Sequence, residues 1–193
     1  VAGANTRRYH AMLIAATTPP VGRVALVSQI QECLIGPSSR LELGTNLFHG
    51  GFVHPSGYLH LDSFEHVPAP TWRYRTPQGT LEKTVAMIQG RNFTIVRYAL
   101  AAGSAPVDME VRVLLAGRDY HSIMRSNDFV NLQTRSQPGI VYIPLYEGVP
   151  SVWLGHNAQS FQPERTWYYN FDYPRERERG LEGHEDLVSA GVL

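Results

Sequence analysis

The fold class is decided by the stretch Val107-Asp108-Met109-Glu110-Val111-Arg112-Val113-Leu114-Leu115. Apolar side chains occupy every second position, and Asp108, Glu110 and Arg112 stand between them. A period of two puts the apolar side chains on one face of a strand and the charged ones on the other. The stretch therefore predicts a half-buried β-strand.

The same period extends outward along most of the chain. It predicts further strands over residues 9–15, 23–35, 71–76, 80–89, 93–100, 129–135, 140–143 and 152–154. Turn sequences separate several of them, such as Pro77-Gln78-Gly79 and Gly90-Arg91-Asn92. No persuasive amphipathic helix precedes residue 174, although residues 175–181 allow a short helical turn. Many short strands joined by turns predict an all-β fold, one large antiparallel β-sandwich domain over residues 1–193 with few or no helices.

The composition of the chain argues against several classes of function. The chain has 193 residues, 43% of them hydrophobic, which is enough for a substantial core. A net charge of zero argues against nucleic-acid binding, which needs a basic surface. The longest apolar runs, such as residues 11–16, are too short to cross a membrane, and the start carries no secretory pattern. Cys33 is the only cysteine, which indicates a reducing compartment and a cytoplasmic location.

The first candidate site is Asn5-Thr6-Arg7-Arg8-Tyr9-His10, where polar groups crowd the entry to an apolar strand. Two adjacent Arg side chains in a strand point to opposite faces, so one of them is expected to be buried and to need a carboxylate partner. The functional interpretation is a contact to sugar hydroxyls or to another domain. The more common alternative is a structural ion pair.

The second candidate is Gly117-Arg118-Asp119-Tyr120-His121, at the end of the strongest strand. An Asp and a His so close together allow an acid–base pair, but such a strand end more often caps a turn. The four histidines at His49, His54, His60 and His66 match no zinc spacing. We therefore expect no metal and no cofactor.

Aromatic residues form the third candidate. Trp72 and Tyr74 share one strand face, Trp153 lies on a short strand, and residues 167–173 are nearly all aromatic. Aromatic rings stack on the apolar C–H faces of sugars, but they also fill β-sandwich cores. Alternating charges follow in residues 175–179. We expect residues 174–193 to be an exit segment that leads to, or packs on, a following domain.

Taken in order, these motifs resemble the amino-terminal domain of bacterial and archaeal glycogen-debranching enzymes over nearly the whole chain. The matching residues are Asn5-Thr6-Arg7-Arg8-Tyr9-His10, Gly57-Tyr58 with Phe64, Pro70-Thr71-Trp72, Leu81-Glu82-Lys83-Thr84, Val96-Arg97-Tyr98, Arg118-Asp119-Tyr120-His121, Trp167-Tyr168 with Asn170-Phe171 and Tyr173, Glu176, Glu178-Arg179-Gly180-Leu181 and Glu185-Asp186-Leu187. One departure is Ala11, where the family usually has Gly.

The resemblance implies a supersandwich of the galactose-mutarotase-like kind, without cofactor. It places the amylo-α-1,6-glucosidase chemistry in a helical barrel downstream, so no residue of this chain inherits a catalytic role. The implied partners are an α-glucan, such as glycogen or a malto-oligosaccharide, and that catalytic domain. Residues expected to contact one or the other are Asn5, Arg7, Arg8, Tyr9, His10, Trp72, Arg118, Asp119, Tyr120, His121, Trp167, Tyr168 and Arg179.

Three hypotheses follow. The leading one is a non-catalytic domain that supports and guides the glucan. The second is an autonomous carbohydrate-binding module, which needs an exposed aromatic platform at Trp72, Tyr74 or Trp167. The third is a sugar epimerase or mutarotase that uses His10, Asp119 or His121 as acid and base, which requires these side chains to converge in one cleft.

Overall fold

The computed structural model describes residues 3–193. Strands dominate this part of the chain. They are β1 (Leu13–Thr18), β2 (Gly22–Ile35), β3 (Arg40–Glu42), β4 (Thr45–Phe48), β5 (Phe52–Ser56), β6 (Leu61–Glu65), β7 (Thr71–Thr76), β8 (Gly79–Met87), β9 (Thr94–Leu100), β10 (Asp108–Asp119), β11 (Arg135–Gln137), β12 (Ile140–Ile143), β13 (Val152–Gly155), β14 (Gln162–Asp172) and β15 (His184–Val192). The helical segments described are a 3-10 turn, Gly57–His60, and helix α1, Pro174–Arg177. The all-β prediction is confirmed.

The strands form three antiparallel sheets. An eight-stranded sheet has the order β1-β2-β10-β15-β14-β4-β5, and β3 also pairs with β2. A four-stranded sheet runs β6-β7-β8-β9, and a three-stranded sheet runs β11-β12-β13. The strand that decides the fold, β10, lies between β2 and β15 and pairs Arg112 with Gln31 and Glu110 with Cys33. It is thus an interior strand of the large sheet.

Both small sheets pack against the large one. Val113 on β10 belongs to a core that includes Val141 and Val152 of the three-stranded sheet. Met109, four residues earlier on β10, packs with Tyr74 of the four-stranded sheet. Side chains four residues apart on a strand share a face, so the two small sheets cover the same face of the large sheet. This layering confirms the predicted β-sandwich.

The opposite face of the large sheet has its own small core and, beyond it, a polar region. Leu114, Ala116, Phe171 and Leu187 are fully buried there. Toward the start of β10, the same alternation of side chains places Arg112 and Glu110 on this face. These charged side chains line the groove described below.

The edge strand β1 is covered by the tip of the β8–β9 hairpin. The Asn92 side chain accepts a hydrogen bond from the Ala16 backbone N–H at 2.9 Å and donates one to the Ala16 carbonyl at 3.0 Å. Thr94 Oγ1 donates to the Met12 carbonyl at 2.7 Å. Unpaired backbone groups on an edge strand invite pairing with other chains, so these contacts protect the edge.

Several predicted elements differ from the structure. The first strand begins at Leu13, because residues 5–10 form turns around side-chain hydrogen bonds. Residues 129–134 form no strand, since Asn127 and Asn131 side chains bind nearby backbone N–H groups instead. The helical turn is shorter than residues 175–181. Residues 174–193 contribute α1 and the interior strand β15, and their proposed link to another domain stays a prediction. No helix within residues 3–193 has the length and hydropathy that a bilayer crossing requires.

Candidate functional site

Arg118 lies in a buried ion pair at the end of β10. The preceding residue, Gly117, has φ +66°, a backbone conformation that favours glycine. The pairing of β10 with β2 also shifts at this point, and the resulting β-bulge changes the direction of the strand. The Arg118 guanidinium donates to both carboxylate oxygens of Glu185 on β15, from Nη2 to Oε2 at 3.0 Å and from Nε to Oε1. Both side chains are buried. Arg118 is therefore held by the protein's own carboxylate.

The Glu185 carboxylate also accepts two further hydrogen bonds. The Tyr173 hydroxyl donates to its Oε2 at 2.6 Å, and the Met124 backbone N–H donates to its Oε1 at 3.0 Å. Burial, followed by the Glu185 charge, raises the pKa of Tyr173 well above its ordinary value. A fully satisfied buried network of this kind fixes the surrounding segments in one arrangement.

The amino-terminal motif attaches to this network. Arg118 Nη2 donates to the Arg8 carbonyl at 2.8 Å. Arg8 Nε lies 3.5 Å from Oε2 of Glu176, which is fully buried on α1, and Arg179 Nη1 lies 3.6 Å from the same oxygen. Arg8 is half-buried and lies within ion-pair distance of this carboxylate, but neither Arg8 Nε nor the Glu176 oxygens have a hydrogen-bond partner among the described residues, and Arg7 is exposed.

Asn5 and His10 organise the turn that precedes β1. The Asn5 side chain donates to the His10 carbonyl at 3.2 Å, and the His10 Nδ1 accepts from the Thr6 backbone N–H at 3.2 Å. Partial burial, and then the charge of Arg7, lower the pKa of His10. A ring nitrogen that accepts this bond is neutral, so His10 serves the local turn.

Tyr9, Tyr120 and His121 form an aromatic group at the same end of the large sheet. The Tyr9 hydroxyl lies 3.1 Å from His121 Nδ1, and the Tyr9 and Tyr120 ring centroids are 5.3 Å apart. Asp119 Oδ1 accepts the His121 backbone N–H at 2.8 Å, which is the turn cap that the alternative interpretation expected. Asp119, His121 and His10 therefore have separate partners, and no acid–base pair is formed between them.

Trp72 lies between the layers, beside a buried ion pair. Its side chain packs in the core of the four-stranded sheet, and Lys83 Nζ lies 6.0 Å from the centroid of its ring. Glu32 is 3% exposed and contacts Lys83 Nζ and the Tyr98 hydroxyl, each at 2.5 Å. A cavity of about 140 Å³ adjoins Trp72, Lys83 and Asn5. Burial raises the pKa of Tyr98, and the neighbouring Glu32 charge raises it further.

The face of the large sheet away from the small sheets carries a groove, which we call the β2–β10 groove. Its volume is about 160 Å³, and its lining includes Gln31, Asn46, Phe48, Arg40, Glu110, Arg112 and Tyr168. The Gln31 and Asn46 side-chain amides exchange two hydrogen bonds of 3.2 Å. The groove thus combines aromatic side chains with fixed hydrogen-bonding amides.

Both arginines of the β2–β10 groove, Arg40 and Arg112, are paired with carboxylates, and the lining also contains Glu42, 4.0 Å from His54 Nε2. Arg40 and Glu110 form a two-point ion pair of 3.2 and 2.5 Å, and Arg112 lies 2.9 Å from Glu164. The Arg40 hydrogen bond lowers the pKa of Glu110. The Arg112 guanidinium also lies 5.8 Å from the centroid of the Tyr168 ring. Because both arginines are held by carboxylates, the groove offers little free positive charge to a phosphate or a polyanion.

The predicted site residues therefore separate into four places. The end of the large sheet collects the residues of both motifs, and Arg179 joins them through Glu176. Trp72 lies between the layers, Trp167 packs in the core of the three-stranded sheet, and Tyr168 lines the β2–β10 groove. Whether these residues contact a glucan or another domain stays a prediction.

Sequence reasoning missed most of the β2–β10 groove. The sequence does show two polar strand faces. Glu110 and Arg112 form the polar side of β10, and Gln31 and Cys33 belong to the polar side of β2. What was missing is that β2 and β10 are neighbours, which joins the two polar sides into one surface. Of the three proposed platform residues, Tyr74 is buried and Trp72 and Trp167 are half-buried in cores.

Comparison with known proteins identifies the family. The family model described as glycogen debranching enzyme N terminal matches residues 1–193, the whole chain. No match was found among curated proteins or among solved structures.

Proposed function

Because the chain belongs to the glycogen debranching enzyme N-terminal family, we propose that it supports and guides an α-glucan toward a downstream amylo-α-1,6-glucosidase domain. In this proposal the parent protein is a cytoplasmic glycoside hydrolase and the catalytic domain belongs to the same polypeptide. The observation that carries the proposal is the β2–β10 groove, where Tyr168, the Gln31–Asn46 amides and the paired arginines suit a neutral sugar chain.

The state of the carboxylates supports a non-catalytic role. Glycoside hydrolysis uses two carboxyl groups across one bond, and the acid of the pair must hold its proton near neutral pH. Glu185 is occupied by Arg118, Tyr173 and a backbone N–H. In the groove, the lowered pKa of Glu110 opposes the role of a general acid. We therefore assign the chemistry to the downstream domain.

An isothermal titration of the chain with a linear malto-oligosaccharide tests the groove. We expect saturable binding that Tyr168→Ala weakens by about tenfold, because the substitution removes the ring on which a sugar would stack. Tyr169→Ala is the matched control, since Tyr169 is the next residue on β14 and is exposed. Absence of binding, or equal losses in both variants, would contradict a glucan site in the groove.

The autonomous carbohydrate-binding module remains the second candidate, and the exposed Trp153 is the observation that favours it. In the mutarotase alternative, His10, Asp119 and His121 would act as acid and base. Their separate hydrogen-bond partners weigh against it. Incubation of the chain with α-glucose, followed by polarimetry, tests that alternative directly, and we expect no acceleration of mutarotation.

A further inference from the structure

The outer face of the three-stranded sheet carries an aromatic row that the core does not use. Arg135, Tyr142 and Trp153 are cross-strand neighbours on β11, β12 and β13. The Tyr142 and Trp153 ring centroids are 4.8 Å apart, and the Arg135 guanidinium lies 5.9 Å from the Tyr142 centroid. Trp153 is 66% exposed, while its neighbour Val152 points into the core.

Gly155 leaves open space beside this row. It lies two residues after Trp153 on β13, so both positions belong to the same face. Its backbone lies outside the left-handed region, and an added Cβ would meet only the Gly139 carbonyl oxygen, at 4.0 Å. Neither the backbone conformation nor packing therefore requires glycine here. The consequence of the glycine is a flat shelf between Trp153 and Ile140, the residue that pairs with Gly155.

The chemistry of the shelf matches a sugar ring better than a protein partner. An exposed indole face beside a glycine accepts the apolar C–H face of a pyranose. The Tyr142 hydroxyl and Ser151 Oγ, 2.9 Å apart, provide hydrogen-bonding groups for sugar hydroxyls at the edge of the row. Around it, residues 135–139 are all exposed and include Ser136 and Gln137. A protein interface of ordinary size would need a larger apolar centre than this row provides.

We infer that this face is a second α-glucan contact, in which Trp153 stacks on one glucose unit and the Gly155 shelf admits the next. The inference rests on the proposed function, because that function supplies the glucan as ligand. It deepens the function by assigning a site on a different sheet from the β2–β10 groove. Two separate contacts would let the chain hold a branched polymer more tightly than a short oligosaccharide.

Native gel electrophoresis in the presence of dissolved glycogen tests the inference. We expect glycogen to retard the chain, and Trp153→Ala and Gly155→Val each to weaken the apparent affinity by about tenfold. Gly155→Val blocks the shelf without removing any contact of the fold, and valine suits a strand. Phe93→Ala is the matched control, because Phe93 is an exposed aromatic residue in the turn between β8 and β9, on a different sheet. Far-UV circular dichroism checks that each variant is folded.

The outcomes distinguish this inference from the proposed function. A folded Gly155→Val variant that binds glycogen like the unchanged chain would overturn the second contact, and so would a chain that glycogen does not retard. A loss in Tyr168→Ala alone would also overturn it while supporting the groove. Conversely, Trp153→Ala should leave the calorimetric binding of a short oligosaccharide to the groove unchanged. If Trp153→Ala instead weakens association with the downstream domain in the longer protein, the face is a domain interface and the inference is wrong.

Discussion

At the scale of single residues, the buried pair of Arg118 and Glu185 matters most for stability. Removing one partner of such a pair leaves the other charge buried without compensation. We predict that Arg118→Met lowers the free energy of unfolding by about 3–5 kcal/mol in urea titrations followed by circular dichroism. Arg175→Met is the control, since its ion pair with Glu178 is exposed, and it should leave the stability unchanged.

A second variant keeps this prediction testable if Arg118→Met does not fold. In Arg118→Met/Glu185→Gln the buried charge is absent and the amide oxygen can still accept from Tyr173 and the Met124 N–H, so we expect the double variant to be more stable than the single one. Equal stability of the Arg118→Met and unchanged chains would show that Glu185 does not need its counter-charge.

Some of these residue-level contacts could be predicted from the sequence and others could not. Two adjacent Arg residues predict that one is buried against a carboxylate, and Arg8 does approach Glu176. The sequence does not reveal that Glu176 is the partner. The two residues meet only because α1 packs against the amino-terminal segment, where the Arg175 backbone N–H donates to the Thr6 carbonyl. Likewise, Asp119 and His121 suggest an acid–base pair, but the carboxylate binds a backbone N–H that any residue would offer.

At the scale of elements, the edge strand β1 depends on one side chain from a distant hairpin. We predict that Asn92→Ala speeds amide exchange at Ala16 and lowers the free energy of unfolding by about 1 kcal/mol, because both hydrogen bonds to Ala16 are lost. Hydrogen exchange followed by NMR measures the first effect. Arg91→Ala, in the same exposed turn, should change neither quantity. Unaltered protection of Ala16 in Asn92→Ala would mean that the hairpin tip does not hold the edge.

Element predictions succeeded where side-chain alternation dominates and failed where side chains compete for the backbone. The strands β2, β7, β8, β9, β12 and β13 lie within two residues of their predicted bounds, and β10 extends beyond the predicted end at Leu115 to Asp119. The strand predictions for residues 9–12 and 129–134 are wrong, because Asn and His side chains bind nearby backbone groups and replace strand pairing. Alternation alone does not indicate this competition.

At the scale of the whole molecule, β2 and β10 connect all three cores. Leu26, Ala25 and Leu34 on β2 belong to three different clusters, and each cluster also contains a residue of β10. Loss of either strand would therefore remove every core at once. This arrangement implies cooperative unfolding of the three sheets.

Two tryptophans allow this cooperativity to be measured. Trp167 reports on the core beneath the three-stranded sheet and Trp72 on that beneath the four-stranded sheet. We predict that variants retaining only one of the three tryptophans, with Phe at the other two positions, show fluorescence transitions in urea that coincide with the loss of circular dichroism in the same variant. A Trp72 transition well ahead of the circular dichroism change would mean that the four-stranded sheet unfolds separately.

The ion pair between Glu32 and Lys83 has a consequence for chemical labelling. Lys83 is the only lysine of the chain, and its side chain is 12% exposed against a carboxylate between two sheets. Acylating reagents react with an unprotonated, accessible amine, so the ion pair and the burial should make this side chain react slowly until the layers separate. The rate of Lys83 acetylation, measured by mass spectrometry, would then report how often the two layers separate. No other side chain of this protein carries an amine that the reagent could acetylate.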